Sequence, residues 1–333
     1  MKDKVLVTGA GGFIGSHLTE ALVRQGYEVR AFVHYNARGS NGWLDCVSNN
    51  ILSNVEIFSG DLRDPHGVDK AVSGCRKILH LGALIGIPYS YHSPDTYLET
   101  NIRGTLNILQ AARRNNIARL IHTSTSEVYG SAVSVPMNEN HRILGQSPYS
   151  ASKIAADQLA YSFYASFGLP VVTVRPFNAY GPRQSLRAVI PTIICQMLSN
   201  DKVITLGNTN TTRDFTFVED TVEGFISILR SDLGLGSVFN LGSSFEVEIN
   251  DLAVLIGETL GRELTFVRDH RRVRPADSEV QRLWCDSSNA LNTFGWHPKQ
   301  MGLEGLKTGL VKTIEWFSDP SNYGNRNPNL YTL

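Results

Sequence analysis

The sequence predicts an α/β protein with a doubly wound parallel sheet and a smaller α/β domain after it. Two observations predict this class. Short apolar segments typical of buried strands alternate with segments of helical spacing over residues 1–175, and a glycine-rich turn joins the first strand to the first helix. Because parallel strands require crossover connections, helices are expected to cover both faces of the sheet.

The individual elements follow from these patterns. Six strands are predicted over residues 4–8, 28–33, 55–58, 77–81, 119–123 and 170–174. Three helices are predicted over residues 12–24, 102–112 and 148–167. Beyond residue 175 the alternation fades, because three prolines between residues 176 and 191 interrupt it. Residues 176–333 are therefore predicted to form mainly the smaller domain, with some segments returning to the first sheet.

The composition argues against several classes of protein. With 31 acidic and 31 basic residues, the formal net charge is zero, which is unlike a nucleic-acid binder. The four cysteines are widely spaced without a CxxC pair, so neither a disulfide framework nor a metal site is expected. No apolar stretch approaches the ~20 residues that span a bilayer, and the amino terminus lacks a signal segment, so we expect no membrane partner and a cytoplasmic location. The Asn-rich tail from Ser321 is expected to be loosely ordered.

A glycine motif marks the turn after the first strand. Gly9 allows a tight turn, Gly12 lets the backbone approach a pyrophosphate, and Gly15 permits close packing of helix and strand. Phe13 and Ile14 begin the helix, where free N–H groups and the positive dipole end suit phosphates. A plain tight turn is the alternative, but the strand–loop–helix context favours a dinucleotide. We therefore interpret this half of the chain as a Rossmann-type dinucleotide-binding domain.

The residues after the second strand leave the identity of the dinucleotide open. A carboxylate there would bond the adenosine ribose and favour NAD, but His34, Tyr35 and Asn36 follow without an acid. Arg38 comes shortly afterwards and could pair with a 2′-phosphate, which would favour NADP. NAD and NADP are both candidates, with His34 and Arg38 as contact residues.

Further cofactor contacts are expected where the third and fourth strands end. Asp61 and Leu62 would read the adenine through a carboxylate and a backbone N–H. A helix cap before Pro65 is a second interpretation of this segment, and the two are compatible. Leu81 and Ala83, at the end of the fourth strand, complete the predicted cofactor contacts on the sheet.

A phenol and an ammonium lie four residues apart in the last predicted helix. Tyr149 and Lys153 fall on one face of it, where the ammonium would lower the pKa of the phenol and make it a usable base. Exposed pairs at this spacing are common, but the polar run 123–130 closes the fifth strand, where a doubly wound sheet presents reactive groups. His80 and His122 lie within apolar strands and are interpreted as structural.

Five ordered motifs resemble one protein family over almost the whole chain. They are the glycine loop, the polar run 123–130, the Tyr149/Lys153 pair and the segments 177–183 and 213–218. Together they resemble the extended short-chain dehydrogenases/reductases, and more narrowly the nucleotide-sugar epimerase/dehydratase group. The resemblance implies tightly bound NAD(P), a nucleotide-diphosphate-sugar substrate and a homodimer built through a four-helix bundle, here from helices near residues 95–115 and 148–167.

Within that group, the triplet Thr125-Ser126-Glu127 is similar to the Thr-Ser-Glu run of GDP-mannose 4,6-dehydratase. The resemblance implies that Tyr149 takes the proton of the sugar C4 hydroxyl, that Thr125 bonds that oxygen, and that Lys153 holds the nicotinamide ribose. Oxidation at C4 makes the C5 proton acidic because it is then α to a ketone, and Glu127 would remove it. Ser126 could protonate the C6 hydroxyl as it leaves, or Glu127 could make both transfers.

The activity that this resemblance predicts is a nucleotide-sugar 4,6-dehydratase, a hydro-lyase with a 4-keto-6-deoxy product. Segments 87–94 and 184–191 look like those of bacterial dehydratases acting on nucleotide-linked N-acetylglucosamine, so UDP- or GDP-N-acetylglucosamine is the expected substrate. UDP-glucuronate decarboxylases also resemble the run 124–130. A 4-epimerase or a decarboxylase is therefore the alternative activity, and a non-catalytic dinucleotide sensor is a remote one.

The smaller domain is predicted to bind the substrate. By resemblance, Asn178 would contact the sugar diphosphate, and Arg213 and Arg274 would clamp its phosphates or ribose. The planar fork of arginine suits this role because it bonds phosphate oxygens in pairs. Arg274 could instead be a solvated charge, and Arg213 could be a structural partner of Asp214 or Asp220.

Overall fold

Three sheets make up the β structure of the protein in a computed structural model that describes residues 3–199, 203–263 and 265–322. The strands are β1 (Lys4–Thr8), β2 (Glu28–His34), β3 (Val55–Gly60), β4 (Lys77–His80), β5 (Arg119–Thr123), β6 (Val171–Pro176), β7 (Asn178–Tyr180), β8 (Val203–Leu206), β9 (Thr212–Phe217), β10 (Val238–Leu241), β11 (Glu246–Glu248) and β12 (Thr265–Arg268). Seven of them form one parallel sheet in the order β10-β6-β5-β4-β1-β2-β3. The predicted doubly wound, Rossmann-type fold class is thereby confirmed.

Helices connect these strands on both sides of the main sheet. They are α1 (Phe13–Arg24), α2 (Asn49–Leu52), α3 (Pro65–Val72), α4 (Ile87–His92), α5 (Pro94–Tyr97), α6 (Gly104–Arg114), α7 (Pro148–Phe167), α8 (Val189–Leu198), α9 (Val218–Arg230), α10 (Ile249–Leu260), α11 (Ser288–Phe294) and α12 (Gly302–Ser318). A π-helical turn, Leu98–Arg103, leads into α6, and a 3-10 turn, Ser126–Tyr129, follows β5. Among the described residues, no helix is long and apolar enough to cross a bilayer.

The main sheet buries apolar side chains on both faces. Val5 and Val7 of β1 pack with side chains of α1 and α9, whereas Leu6 packs with side chains of α3, α6 and α7. All three side chains are fully buried, as expected for alternating residues of a parallel sheet covered by helices on both sides. The core therefore lies in two layers, and the loops at the carboxyl ends of the strands converge on one edge.

Several predicted elements have the predicted bounds, namely β1, β5 and α7. Local chemistry explains the limits of α7. Ser147 and Ser150 form a reciprocal capping box, and Pro148 occupies the first turn. Gly168 ends the helix in the left-handed conformation, with a φ of 66°. These signals are short-range, which is why the sequence places this helix so closely.

The helix predicted over residues 102–112 is observed as α6, Gly104–Arg114, together with a turn of different geometry before it. The π-helical turn Leu98–Arg103 precedes it, and α6 extends to Arg114. Within the turn, the Asn101 side chain accepts from the N–H of Leu84 at 2.8 Å and donates to its carbonyl at 2.9 Å. The turn is therefore fixed to the loop after β4 by a residue that carries no helical signal.

The hydrophobic pattern of the sequence does not predict helix α3. Its N-cap is Asp64, whose carboxylate accepts from the N–H groups of His66 and Gly67, and Pro65 occupies the first turn. The interpretation of Asp61 as the cap before Pro65 is therefore wrong, because Asp64 makes that contact. Asp61 remains available for another role.

The chain after β6 forms the two smaller sheets and returns one strand to the main sheet. Strands β7, β9 and β11 form one small sheet, and β8 pairs in parallel with β12. Strand β10 pairs in parallel with β6, with Val238 opposite Thr173. Helices α8, α10 and α12 pack against one another in this region. The prediction for the tail from Ser321 falls almost wholly on residues 323–333, outside the described ranges.

Candidate active site

The glycine loop places backbone N–H groups at the carboxyl edge of the main sheet. Gly9 adopts a left-handed conformation with a φ of 69°, and its carbonyl accepts from the Gly12 N–H at 2.9 Å. A side chain at Gly15 would clash with the same carbonyl. Gly12 caps α1 without a side-chain hydrogen bond, so the N–H groups at Phe13 and Ile14 have no intrahelical partners. The five predicted residues thus form one cradle that fits a pyrophosphate.

The loop after β2 packs directly on this cradle. The N–H of Trp43 donates to the Gly11 carbonyl at 2.9 Å, and a side chain at Gly11 would clash with the Asn41 carbonyl. His34, the last residue of β2, and Arg38 are both exposed at this edge. The structure therefore brings the predicted ribose-side residues next to the predicted phosphate site. The role of Gly11 in that packing is not apparent from the motif.

At the end of β3, Asp61 is held in an ion pair. Its carboxylate lies 2.5 Å from Nη2 of Arg63, and the hydrogen bond with Arg63 lowers the pKa of Asp61. The next residue, Leu62, directs its side chain towards Gly82, where an added Cβ would meet it at 2.7 Å. Asp61 is thus a fixed anion at the edge of the sheet, and the Leu62 side chain reaches the segment after β4.

The segment after β4 lies against the glycine loop. An added Cβ on Gly9 would meet the backbone of Gly82 at 2.9 Å and that of Leu81 at 3.1 Å. The N–H of Leu81 also donates to the Thr8 carbonyl at 3.3 Å. Leu81 and the neighbouring Ala83 therefore flank the backbone that packs on the cradle, as expected for residues that line a dinucleotide site.

The predicted catalytic residues meet at the end of β5. Tyr149 is 6% exposed and hydrogen-bonds with the Thr125 side chain, while the charge of Glu127 acts on the same phenol. The Thr125 hydroxyl also accepts from the Glu127 N–H at 3.2 Å and so caps the 3-10 turn. Ser126 is buried within that turn. A phenol, two hydroxyls and a carboxylate are therefore assembled in one place.

Burial dominates the acidity of Tyr149 and Lys153. It raises the pKa of Tyr149, while the hydrogen bond with Thr125 lowers that pKa and the nearby carboxylate raises it. Burial lowers the pKa of Lys153 to about 8, against the opposing charge of Asp157. Nζ of Lys153 donates to the Thr123 carbonyl at 2.6 Å. The expectation that Lys153 lowers the pKa of Tyr149 enough to make it a usable base near neutrality is therefore wrong for the chain by itself, because desolvation outweighs the effect of the ammonium.

A buried carboxylate beneath this pair is a site feature that the sequence reasoning missed. Asp157 is 4% exposed and accepts from His122 Nε2 at 3.0 Å, from the Ser124 hydroxyl at 2.8 Å and from Arg175 Nη2 at 3.0 Å. Burial lowers the pKa of His122, so its ring is neutral near pH 7. His80 is also buried and bonded to threonine hydroxyls at both ring nitrogens. Both histidines have the surroundings of structural residues.

Arg213 and Arg274 converge on one carboxylate. Nη2 of Arg213 lies 3.5 Å from Oε1 of Glu279, and Nη1 of Arg274 lies 3.6 Å from the same oxygen. Burial lowers the pKa of Arg213, and the charge of Glu127 opposes that effect, so Arg213 lies near the carboxylate of Glu127. Glu279 has no local sequence signal, because its partner Arg213 is 66 residues away.

The alternatives for the two arginines are both wrong. Asp214 accepts hydrogen bonds from Ser243 and from the Cys285 N–H, and Asp220 accepts from two backbone N–H groups after α11, so neither is the partner of Arg213. The Arg274 side chain is only 26% exposed and is not a freely solvated charge. Asn178 is the first residue of β7. It pairs with Phe215 of the adjacent strand β9, and Phe215 is two residues after Arg213.

Sequence comparison assigns this site to a family. Residues 6–308 match the family described as GDP-mannose 4,6 dehydratase. The chain belongs to this family. Its relatives are nucleotide-sugar dehydratases, epimerases and decarboxylases of the extended short-chain dehydrogenase/reductase type, so the family predicted from the five motifs is confirmed.

Three relatives show the range of activities in the family. Over 326 residues the chain is 31% identical to dTDP-D-glucose 4,6-dehydratase from Homo sapiens, covering 95% of this chain and 90% of that protein. Over 332 residues it is 31% identical to UDP-N-acetyl-alpha-D-glucosaminuronate decarboxylase from Bacillus cytotoxicus, covering 97% and 100%. The crystal structure of UDP-glucuronic acid 4-epimerase from Bacillus cereus with UDP-glucuronic acid and NAD has a TM-score of 0.83 at 28% identity, covering 94% and 98%.

These similarities identify the protein as an enzyme of an NAD-dependent nucleotide-sugar family. Solved neighbours with bound NAD include dehydratases as well as epimerases. Because relatives with three different reaction outcomes are comparably similar, the outcome has to be argued from the residues of the site. Within the described ranges, no group of three or more His, Cys, Asp or Glu side chains could hold a metal ion.

Proposed function

We propose that this protein is a nucleotide-sugar 4,6-dehydratase that converts UDP- or GDP-N-acetylglucosamine into its 4-keto-6-deoxy product with tightly bound NAD(P). The observation that carries the proposal is the Glu127 carboxylate, whose charge acts on the Tyr149 phenol, while the Thr125 hydroxyl holds the Glu127 backbone N–H at 3.2 Å. Inversion at C4 alone requires no proton removal at C5. A carboxylate beside the phenol is therefore the group that distinguishes elimination from epimerisation.

The cofactor would be held by groups that already face the carboxyl edge of the sheet. The N–H groups at the start of α1 would bond the pyrophosphate, and Asp61 would contact the adenosine. The Lys153 ammonium would bond the nicotinamide ribose. When bound, the nicotinamide ring supplies a hydride acceptor for C4 and a hydride donor for C6. Hydride return within one turnover supports tight retention of the cofactor.

In the first half of the reaction, Tyr149 would take the proton of the C4 hydroxyl while Thr125 bonds the same oxygen. Burial raises the pKa of Tyr149, so its phenolate is a strong base once it forms. The positive charge of Lys153, one turn along α7, supports that phenolate. The two residues therefore act as a unit in which the lysine must stay protonated.

In the second half, Glu127 would remove the proton on C5, which is acidic because it is α to the C4 ketone. The C5–H electrons form a C5–C6 double bond as the C6–O bond breaks, and the hydroxyl leaves as water after protonation by Ser126 or Glu127. The bound nicotinamide would supply the hydride that C6 needs. C5 would be protonated by Glu127 where Ser126 protonated the hydroxyl, or by the proton that Tyr149 took from C4 where Glu127 did, and the carbon skeleton would again be saturated. The net change is the loss of one water.

The substrate would be gripped by Arg213 and Arg274 at its diphosphate, with Asn178 contacting the sugar side of that group. The contacts of both arginines with Glu279, at 3.5 and 3.6 Å, are longer than strong charge-assisted hydrogen bonds. Phosphate oxygens can therefore replace that carboxylate as hydrogen-bond partners. Two guanidinium groups directed at one anion-binding position favour recognition of a diphosphate over recognition of a neutral sugar.

A homodimer through α6 and α7 is part of the proposal. Leu98, in the turn before α6, is 48% exposed, and Tyr161 on α7 is 55% exposed. The two helices pack side by side, so these apolar side chains support a shared face for a second copy. We expect light scattering to give twice the chain mass and Tyr161→Asp to give a monomer; a monomeric unaltered protein would contradict the dimer.

The second candidate function is a 4-epimerase or decarboxylase. It is supported by the 31% identity to the decarboxylase, which extends over 97% of this chain. Tyr149 and Lys153 would serve all three reactions at C4 in the same way. The candidate reactions differ in the step that follows oxidation at C4.

The deciding experiment is product analysis by mass spectrometry. The purified protein is incubated with UDP- and GDP-N-acetylglucosamine, with dTDP-glucose and UDP-glucuronate as comparison substrates. We expect the loss of one water from an N-acetylglucosamine nucleotide. An unchanged mass with inverted C4, or loss of carbon dioxide from the uronate, would replace the dehydratase proposal with the second candidate.

A further inference from the structure

The buried carboxylate of Asp157 is tied to the end of β5 and to β6, two adjacent strands beside the catalytic pair. From β5 it receives the His122 ring at 3.0 Å and the Ser124 hydroxyl at 2.8 Å. From β6 it receives Arg175, through Nε at 3.2 Å and Nη2 at 3.0 Å. These four contacts fix both carboxylate oxygens in one orientation. A carboxylate exposed at the surface would be hydrated by water and would not require four hydrogen bonds from the protein.

Asp157 and Lys153 stand one turn apart on the same face of α7. Lys153 donates to the Thr123 carbonyl at 2.6 Å, and Asp157 accepts from Ser124, the next residue along the chain. The two side chains are therefore anchored to consecutive residues at the end of β5. This arrangement sets the height of the ammonium relative to the reacting phenol.

The charges at this position balance only if Asp157 is included. Lys153 and Arg175 are both 3% exposed, so two cations are buried close together. Loss of hydration disfavours the charged form of Lys153, and the negative charge of Asp157 opposes that effect. His122 on β5 and His80 on β4 also face this region, and burial together with Lys153 lowers the pKa of each, so they add no positive charge.

Two further groups complete the surroundings. Tyr129 stacks under Arg175, whose guanidinium carbon lies 4.8 Å from the ring centroid, and its hydroxyl donates to Asn240 at 2.7 Å. The charge of Glu127 acts on Tyr149 and raises the pKa of that phenol. Neither contact places a second anion against the Lys153 ammonium.

We propose that Asp157 is a positioning residue for the catalytic pair, keeping the Lys153 ammonium charged and seated on the Thr123 carbonyl without itself touching substrate or cofactor. The inference rests on the proposed role of Lys153 in binding the nicotinamide ribose and supporting the Tyr149 phenolate. Its consequence is that Asp157 governs activity through the protonation state of a neighbour.

The pKa of Lys153 supports the same conclusion. Burial already lowers it to about 8, and Asp157 is the charge that raises it. Removal of an adjacent opposite charge typically shifts a pKa by about 1 to 3 units. Without Asp157, the pKa of Lys153 would fall further.

The test is a direct titration of Lys153. The protein is labelled with ¹³Cε-lysine, and the Lys153 signal is assigned by its loss in Lys153→Arg. We expect a midpoint near pH 8 in the unaltered protein and at least about a tenfold lower proton affinity in Asp157→Asn. Ser124→Ala is the matched control, because it removes one hydrogen bond and keeps the charge, and its midpoint should stay in place. An unchanged midpoint in Asp157→Asn would overturn the proposal.

A second measurement needs no charge-removing variant and remains informative if Asp157→Asn does not fold. With ¹³Cγ-aspartate, the Asp157 signal, assigned by its loss in Asp157→Glu, should shift with the same midpoint as Lys153. An Asp157 signal that ignores the Lys153 titration would overturn the proposal. Neither titration requires turnover, so a failure of the dehydratase proposal in the product analysis is distinguishable from a failure of this one.

Discussion

The cofactor side and the substrate side of this site hold their charges in different ways. On the cofactor side, Asp157 is enclosed by four hydrogen bonds between 2.8 and 3.2 Å. On the substrate side, Arg213 and Arg274 share Glu279 through contacts of 3.5 and 3.6 Å. The first arrangement is closed and preorganised, while the second leaves donors that a ligand can take over. The residues proposed for catalysis are therefore held in place before a ligand binds, whereas those proposed for substrate binding can exchange one partner for another.

The largest effect is expected when the proposed reacting hydroxyl of Tyr149, on the cofactor side, is removed. Tyr149→Phe should reduce turnover by about 10³-fold, because a general base is lost, while nucleotide-sugar affinity measured by calorimetry stays within about twofold. Tyr164→Phe, near the far end of the same helix and 36% exposed, is the matched control and should retain activity. A comparable loss in both variants would show that the helix, and not the phenol, is responsible.

Breaking the open side should affect binding instead. Arg213→Met removes hydrogen bonds to a charged group. We therefore expect the free energy of nucleotide-sugar binding to become less favourable by about 2 to 3 kcal/mol, which raises the Kd roughly 30- to 150-fold. Turnover at saturation should fall much less. Arg76→Met is the control, since that side chain is 65% exposed and pairs with Asp3 beside the amino end of β1. Unchanged affinity in Arg213→Met would remove this residue from the substrate site.

The pH dependence sharpens the comparison. Burial lowers the pKa of Lys153 to about 8. Because we propose that Lys153 acts in its protonated form, kcat/KM should fall as pH rises through about 8, by roughly tenfold per unit. In Lys153→Arg that decline should disappear from whatever activity remains, because arginine stays charged. A profile of the unaltered enzyme that stays flat well above pH 8 would contradict the protonated role.

The smallest effect is expected at the exposed rim of the cofactor side. Arg38 is exposed beside the dinucleotide cradle, so Arg38→Ala should weaken NADP binding by about three- to fivefold and leave NAD binding unchanged. Fluorescence titration of the apo-protein with each dinucleotide measures both. An equal loss for both dinucleotides would mean that Arg38 does not read a 2′-phosphate.

The difference between the two sides also explains what the sequence could predict. The cradle lies within the seven residues from Gly9 to Gly15, and Tyr149 and Lys153 share one capped helix, so local rules suffice to find them. Glu279 meets Arg213 across 66 residues, which only the folded chain reveals. No periodic pattern records such a contact.

Burial accounts for the remaining errors. The spacing of Tyr149 and Lys153 correctly indicates that the residues are neighbours, but it suggests the wrong direction for the pKa of the phenol. Asp157 also has the spacing of a neighbour of Lys153, yet its importance depends on partners from β5 and β6. Desolvation and long-range hydrogen bonds are properties of the packed structure, so they cannot be read from a helical repeat.

The central claim, that Glu127 makes this enzyme a dehydratase, is tested most directly by Glu127→Gln. With the N-acetylglucosamine nucleotide that the unaltered enzyme dehydrates, this variant should still oxidise C4, seen as absorbance of the reduced nicotinamide, but should form product at least about 10²-fold more slowly. Glu258→Gln, exposed on α10, is the control and should behave like the unaltered enzyme. Accumulated reduced cofactor without loss of water is the predicted result; water loss at the unaltered rate would contradict the account.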